Sequence, residues 1–268
     1  MNLVSKLLRL RNKWLFNAPG RFLSINIETN TICTRACSYC PVTKHRREVM
    51  QMPTSKVCGI IDELAKRRFL GAVHWGFYNE PMTDPRLPDF VDYAYSKLRW
   101  CRQTIYTNGD MFHRANLPWL LKRCKIIVSD HGNSREWAPW VANLPDKLRK
   151  RVWVSCPTPD TISSRGGTVE SRTPHVTTCK LEAAIIAADG YMALCCNDYN
   201  YSRQEHRSVW KHGVFGAWAL LLKSFYNPIQ NGCRPAICYK CTESHVPVVP
   251  FDEWRKNKDA ELLRRYEQ

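Results

Sequence analysis

Three closely spaced cysteines, Cys33, Cys37 and Cys40, lie in the string CTRACSYC. Thiolates are ligands for zinc, Cu(I) and iron–sulfur clusters. A structural zinc site takes four ligands, and His45 is the only further Cys or His nearby in the chain that could complete one. Three thiolates suit a 4Fe–4S cluster whose fourth iron stays open for a cofactor or a substrate. The spacing therefore favours an iron–sulfur site.

A second group of cysteines lies toward the C-terminus: Cys179, Cys195, Cys196, Cys233, Cys238 and Cys241. The string EAAIIAADGYMALCC predicts a β-hairpin that turns at Asp-Gly and brings Cys179 and Cys195 together at its open end. The C-x2-C pair of Cys238 and Cys241 can complete four thiolates. Cys196 or Cys233 can replace one of these ligands, and a structural zinc site is the competing interpretation.

The composition limits the class of protein. At 268 residues the chain has room for one large domain, or one domain with a small appendage. No run of about 18 uncharged apolar residues occurs, so a membrane-spanning helix is excluded. A secretory signal is disfavoured because basic residues interrupt the first apolar ones: Lys6, Arg9, Arg11 and Lys13. These features predict a cytoplasmic, reducing location, where 13 cysteines favour metal or redox chemistry over disulfides.

The elements that must position the cysteines alternate between strand and helix. A predicted strand at 19–29 leads directly into the first cysteine group. Further strands are predicted at 69–75, 103–106, 125–129 and 152–156, and helices at 54–68, 87–98 and 117–124. This alternation predicts a parallel sheet of about six βα units, fewer than a complete barrel contains. Chemistry in such folds lies on the loops that follow the strands, where the first cysteine group also lies.

The sequence resembles the radical S-adenosylmethionine (SAM) enzymes. Their C-x3-C-x-aromatic-C signature is matched by the three cysteines with Tyr39, and Asn30 stands at a position that is often Asn. GFYNEP at 76–81 is similar to the family's Gly-rich motif ending in Glu-Pro, with Asn79 in place of the usual Gly. YTNGD at 106–110 is a third match. The resemblance implies an α/β fold, a partial (βα)6 TIM-like barrel.

The resemblance also implies cofactors and their ligands. Cys33, Cys37 and Cys40 would hold a 4Fe–4S cluster, and SAM would chelate its fourth iron. An electron from this cluster would cleave SAM to a 5′-deoxyadenosyl radical that takes a hydrogen atom from the substrate. The residues expected to bind SAM are Tyr39, Gly76, Tyr78, Asn79, Glu80, Pro81, Asn108, Ser129, His131 and Arg165. Of these, Tyr39 would face the adenine, and the 76–81 backbone with Glu80 would hold the methionine end.

The second cysteine group is similar to the shortened SPASM domain called twitch. This resemblance implies one auxiliary 4Fe–4S cluster, held by Cys179, Cys195, Cys238 and Cys241. The expected organisation has four parts: an N-terminal basic amphipathic helix at 1–18, a radical SAM barrel at 19–170, a twitch domain at 171–245 and a helical tail at 246–268.

Within the family, the chain resembles the aminocyclitol dehydrogenase type, over nearly its whole length. In that type an alcohol is oxidised to a ketone and the auxiliary cluster accepts an electron. Arg165 matches a position near the substrate. Cys156 supports an alternative, an epimerase in which its thiol returns a hydrogen atom to the substrate radical. A peptide substrate is disfavoured because only 32 residues precede Cys33.

The net charge of +16 leaves the partner open. Residues 1–50 hold nine Lys and Arg against two Asp and Glu. The helix predicted at 1–18 could cap its own domain or contact acidic lipid or nucleic acid, although no RNA-binding motif accompanies it. A nucleic-acid substrate and an anionic small substrate both suit this charge. The resemblance implies a reducing partner such as flavodoxin or ferredoxin, and two zinc knuckles on a basic binding module are the non-enzymatic alternative.

Overall fold

A computed structural model describes residues 22–131, 135–158, 160–175, 182–201, 203–230, 232, 236–242 and 246–266. Its core is one mainly parallel sheet. The strands are β1 (Ser24–Ile27), β2 (Ala72–Trp75), β3 (Arg102–Thr107), β4 (Lys125–Ser129), β5 (Val152–Ser155), β6 (Ala183–Ile186), β7 (Met192–Ala193) and β8 (Val248–Pro250).

The spatial order of the strands is β7-β6-β1-β2-β3-β4-β5-β8. Strands β1 to β5 follow one another in parallel, and β6 lies parallel to β1 on its other side. The edge strands run antiparallel, β7 on β6 and β8 on β5. No pairing between β7 and β8 occurs within the described ranges, so the sheet does not close into a complete barrel.

Helices cross from one strand to the next. Within the described ranges they are α1 (Pro41–Lys44), α2 (Thr54–Lys66), α3 (Leu87–Lys97), α4 (Leu117–Arg123), α5 (Trp137–Ala142), α6 (Asp146–Arg149), α7 (Val209–Leu221), α8 (Asn227–Gln230), α9 (Ala236–Tyr239) and α10 (Phe251–Tyr266). Short 3₁₀ turns occupy Pro81–Thr83, Phe112–Arg114 and Glu205–Arg207, and a π-helical segment, Leu222–Tyr226, follows α7. No helix in the described part is long and apolar enough to cross a membrane.

Alternation along each strand divides the sheet into two faces. In β1, Ile25 and Ile27 are fully buried in the apolar core, whereas Ser24 and Asn26 face the opposite side. Helix α2 packs onto the core through Val57, Ile60, Ile61 and Leu64. Burial of each such side chain stabilises the fold by about 1.5–3 kcal/mol. The polar residues at the alternate strand positions therefore lie on the opposite face of the sheet, which is the inner face.

The strands and helices that the sequence predicts at 54–68, 69–75, 87–98, 103–106, 117–124, 125–129 and 152–156 all form, with ends within a few residues. The six parallel strands also match the predicted number, but the sixth, β6, lies beside β1 instead of after β5. The tail at 246–268 is not wholly helical, because β8 pairs with β5 before α10 begins. The helix predicted at 1–18 lies outside the described residues.

Candidate active site

A cavity of about 520 Å³ opens at the carboxyl ends of the parallel strands. Most of the predicted site residues line it: Cys33, Cys37, Tyr39, Cys40, Gly76, Tyr78, Asn79, Glu80, Asn108, Ser129, His131 and Arg165. Pro81 does not line it, because it is buried at the first position of the Pro81–Thr83 turn. The loops after β1, β2, β3 and β4 therefore meet where the sequence predicts a site.

The three thiols of the first group lie on the loop after β1. The carbonyl of Cys37 accepts hydrogen bonds from Cys40 N (3.0 Å) and Thr43 Oγ1 (2.7 Å), which fold the loop back on itself. Burial, and then the nearby Glu80 and the other two thiols, raise the pKa of Cys33 to about 11. Within the described part, no three Cys, His, Asp or Glu side chains are placed to hold a single metal ion. A 4Fe–4S cluster makes a different demand, since each thiolate binds a separate iron.

An ion pair fastens the cysteine loop to the YTNGD motif. Arg35 Nη2 and Nε donate to the Asp110 carboxylate at 2.5 and 2.9 Å. Thr34 donates to the same carboxylate at 2.8 Å and accepts from Asn108 Nδ2 at 2.8 Å. Burial opposes ionisation of Asp110, but the bonds from Arg35 and Thr34 outweigh it and lower the pKa of this carboxyl. The YTNGD motif thus fixes the position of the cysteine loop.

Glu80 is buried, and its carboxylate has protein partners on both oxygens. It accepts hydrogen bonds from Met82 N (3.0 Å), Thr107 Oγ1 (2.8 Å) and Asn108 N (2.7 Å). Burial raises its pKa to about 7, against the effect of these donors. The expectation that Glu80 helps to hold the methionine end stays a prediction, since Glu80 also lines the cavity. Its donors are internal, and they tie the GFYNEP loop to the end of β3.

Other residues of the GFYNEP loop line the cavity beside Glu80, among them Gly76 and Asn79. Gly76 adopts a φ of +113°, which glycine tolerates without strain. Asn79, which replaces the family's usual Gly, accepts from Phe77 N at 3.0 Å and donates to Asn30 Oδ1 at 3.2 Å. The Asn79 side chain therefore holds the turn together.

Tyr39 and His131 meet on one side of the cavity. The Tyr39 hydroxyl contacts His131 Nδ1, and the ring centroids are 5.7 Å apart. Burial, followed by the charge of Arg35, lowers the pKa of His131 to about 4. The imidazole is therefore neutral at pH 7, and the pair presents two uncharged rings to the cavity.

The inner face of the sheet contributes further polar residues that were not among the expected site residues: Ser24, Asn26, His74, Tyr106 and Ser155. The ring of His74 lies 5.5 Å from that of Tyr106. Its Nδ1 atom is buried and has no hydrogen-bond partner among the described residues. Burial, with a smaller effect of Arg102, lowers the pKa of His74 to about 4. The signal available in the sequence was a polar residue at every second position of predicted strands.

Arg165 lies between the two cysteine groups. Its backbone has a φ of +49°, uncommon for a residue with a side chain. The guanidinium lies 5.7 Å from the centre of the Tyr78 ring, and Nη1 is 3.4 Å from Asn197 Oδ1. It is close enough to Cys40 and Cys196 to interact electrostatically with both. The Arg165 guanidinium therefore lies close to cysteines of both groups.

The structure also tests part of the second cysteine group. The predicted hairpin forms as β6 and β7, and Cys195 and Cys241 lie near each other and near Cys196. Cys241 N donates to Cys238 O at 3.3 Å, which makes a tight turn of the C-x2-C pair. Cys196, an alternative ligand, lines the cavity. The remaining members, Cys179 and Cys233, lie outside the described residues.

Cys156 is not placed as the epimerase alternative requires. It packs against the apolar core and does not line the cavity. The preceding residue, Ser155, faces the cavity, and consecutive side chains of a strand point to opposite faces. Cys156 N donates to Pro247 O at 3.2 Å, which continues the pairing with the β8 segment.

The parallel sheet, the cysteine loop after β1 and the cavity at the strand ends form the arrangement that the radical SAM resemblance predicts, and the chain is similar to proteins of that class. It is 25% identical over 230 residues to the S-adenosyl-L-methionine-dependent 2-deoxy-scyllo-inosamine dehydrogenase of Niallia circulans, which covers 80% of this chain and 92% of the relative. No protein-family model matches the sequence.

Solved structures share the fold. BtrN in complex with AdoMet and 2-DOIA superimposes with a TM-score of 0.74 at 24% identity, covering 84% of this chain and 98% of that chain. BtrN in an open conformation gives a TM-score of 0.62 at 20% identity, with 84% and 95% covered. The predicted radical SAM fold is thereby confirmed.

Proposed function

We propose that the protein oxidises an alcohol group of a small polar molecule, of the sugar, aminocyclitol or nucleoside-like class, to a ketone. The observation that carries this proposal is the position of Arg165 in the cavity, between Cys40 and Cys196. A substrate held there would lie beside both cysteine groups. The name of the Niallia circulans relative, a dehydrogenase of 2-deoxy-scyllo-inosamine, supports the substrate class.

The cofactors proposed are SAM and two 4Fe–4S clusters. Cys33, Cys37 and Cys40 would hold the first cluster, and their convergence on one cavity fits that group. When bound, this cluster and SAM supply a 5′-deoxyadenosyl radical that takes a hydrogen atom from the substrate carbon. The 76–81 backbone with Glu80, and the pair of Tyr39 and His131, are the groups proposed to hold the two ends of SAM.

The substrate would be oriented by the chain's own polar groups. The Arg165 guanidinium offers several N–H donors in a fixed plane, which suits adjacent hydroxyl oxygens. His74 is neutral at pH 7 and can accept a hydrogen bond from a substrate hydroxyl. Asn26 and Ser155 add uncharged polar contacts on the inner face.

The auxiliary cluster would be held by Cys179, Cys195, Cys238 and Cys241, with Cys196 as the alternative near the cavity. It would take the electron that the substrate radical loses when the ketone forms. The proposed organisation keeps a radical SAM barrel at 19–170 and an auxiliary segment at 171–245. These two parts share the sheet, because β6 pairs with β1. An acidic electron carrier such as flavodoxin or ferredoxin is the proposed reductant.

Anaerobic reconstitution with iron and sulfide tests the proposal. We expect about eight irons per chain, and 5′-deoxyadenosine should form from SAM on reduction. Incubation with a panel of aminocyclitols deuterated at the carbinol carbon should transfer deuterium into 5′-deoxyadenosine and give one ketone per SAM consumed. Stoichiometric zinc without SAM cleavage would exclude the function. An epimerised product without a ketone would exclude the dehydrogenase reaction alone.

A further inference from the structure

Asn197 contacts two of the cysteines proposed as auxiliary ligands. Its side-chain Nδ2 lies 3.1 Å from Cys241 Sγ, and its backbone N–H is hydrogen-bonded to the Cys195 thiol. One residue therefore directs two N–H groups at two sulfur atoms on different segments of the chain.

The orientation of the Asn197 amide is fixed by its neighbours. Arg165 Nη1 lies 3.4 Å from Asn197 Oδ1, and a guanidinium can only donate. Ser163 Oγ, in a buried side chain, lies 2.8 Å from the same oxygen. Because the oxygen faces these two donors, the NH₂ group must face Cys241.

We propose that Asn197 is a positioning residue that raises the reduction potential of the auxiliary cluster through its N–H···S bond to Cys241. This inference rests on the proposed function, which places a cluster on Cys195 and Cys241. Reduction adds negative charge to a cluster and its thiolates. A hydrogen-bond donor at the sulfur stabilises the reduced form more than the oxidised form, so the potential rises.

The effect suits the proposed reaction. When the substrate CH–OH becomes C=O, one hydrogen atom would go to the 5′-deoxyadenosyl radical, one proton to solvent, and one electron to the oxidised auxiliary cluster. A higher potential favours that last transfer. Asn197 also contacts Arg165, the residue proposed to hold the substrate. The Asn197 side chain therefore connects the substrate-binding residue to the auxiliary cluster.

Redox titration of the reconstituted enzyme, followed by electron paramagnetic resonance, tests the inference. Asn197→Leu removes the donor without adding charge, and Asn197→Asp removes it while keeping an acceptor for Ser163 and Arg165. In both variants we expect the one-electron equilibrium of the auxiliary cluster to shift about tenfold toward the oxidised form, about 59 mV for one electron. The SAM-binding cluster in the same sample should keep its potential.

Ser163→Ala is the matched control. It removes a contact to the amide oxygen but keeps the donor to Cys241. The one-electron equilibrium of the auxiliary cluster in this variant should therefore stay within about twofold of the wild-type value. An auxiliary potential unchanged in both Asn197 variants, with about eight irons bound, would overturn the role of Asn197 and leave the proposed function intact. A wild-type protein that binds only about four irons would overturn both.

Discussion

Arg47 and Glu28 form a two-pronged ion pair, with Nη2 and Nη1 at 2.5 and 2.9 Å from the two carboxylate oxygens. Glu28 is fully buried and also accepts from Tyr78 N (3.1 Å) and Ala188 N (3.2 Å). Four segments therefore meet at one carboxylate: the end of β1, the chain after the cysteine loop, the GFYNEP loop and the turn of the β6–β7 hairpin.

The first prediction concerns the stability of this junction. Arg47→Met should lower the free energy of unfolding of the metal-free protein by about 3–5 kcal/mol, because it leaves Glu28 charged, buried and unpaired. Denaturant unfolding measures this change. The exposed pair of Arg172 and Asp160 is a matched control, and Arg172→Met should cost less than about 1 kcal/mol. Equal losses in the two variants would contradict the structural role of the buried pair.

A second prediction follows from the buried His74. Its folded pKa of about 4 lies below the usual value of 6.5, so the unfolded chain binds more protons between these values. The contribution of neutral His74 to stability is therefore complete above about pH 6.5 and is lost as the pH falls toward 4. His74→Gln should reduce the slope of unfolding free energy against pH in this window by up to about 1.4 kcal/mol per pH unit. Identical slopes for the two proteins would show that His74 is accessible to protons in the folded state.

The sequence alone predicts the parts of the site that lie on continuous motifs. The cysteine loop, GFYNEP and YTNGD each follow a strand whose apolar residues alternate, and parallel strands bring such loops to one edge. Position within a motif does not reveal which atoms are already bonded. The motif predicts a role for Glu80 in SAM binding, for example, but it does not predict that Thr107 and Asn108 donate to the Glu80 carboxylate.

Alternation along a strand marks its polar positions, but it does not predict which of them line the cavity. For His74 and Tyr106, that depends on how the whole sheet curves. Strand β8 is also hidden in the sequence, because three residues that pair with a distant strand leave no periodic pattern. Both features arise from long-range contacts, not from local spacing.

Cys156 gives the third prediction. Because its thiol packs against the core and Ser155 occupies the cavity-facing position, Cys156→Ala should leave the ratio of ketone to 5′-deoxyadenosine unchanged. Loss of the partly buried sulfur should lower stability by about 1 kcal/mol or less, measurable in the same denaturant series. Ser155→Val is the companion variant, and it should weaken substrate binding because it removes a polar group from the inner face. If Cys156→Ala lowered turnover while both clusters were fully present, the Cys156 thiol would take part in the reaction.

The last prediction concerns Arg165, which the proposed function places against the substrate. Arg165→Lys keeps the charge but replaces a planar set of donors with a single ammonium group, so contacts to adjacent hydroxyls are lost. We expect kcat/KM for ketone formation to fall about 10- to 100-fold, the loss of one charged hydrogen bond. SAM cleavage without substrate should continue, since the 76–81 backbone and the three thiols are unchanged. Quantifying ketone and 5′-deoxyadenosine together separates these effects. A parallel fall of both products would place Arg165 on SAM instead of on the substrate.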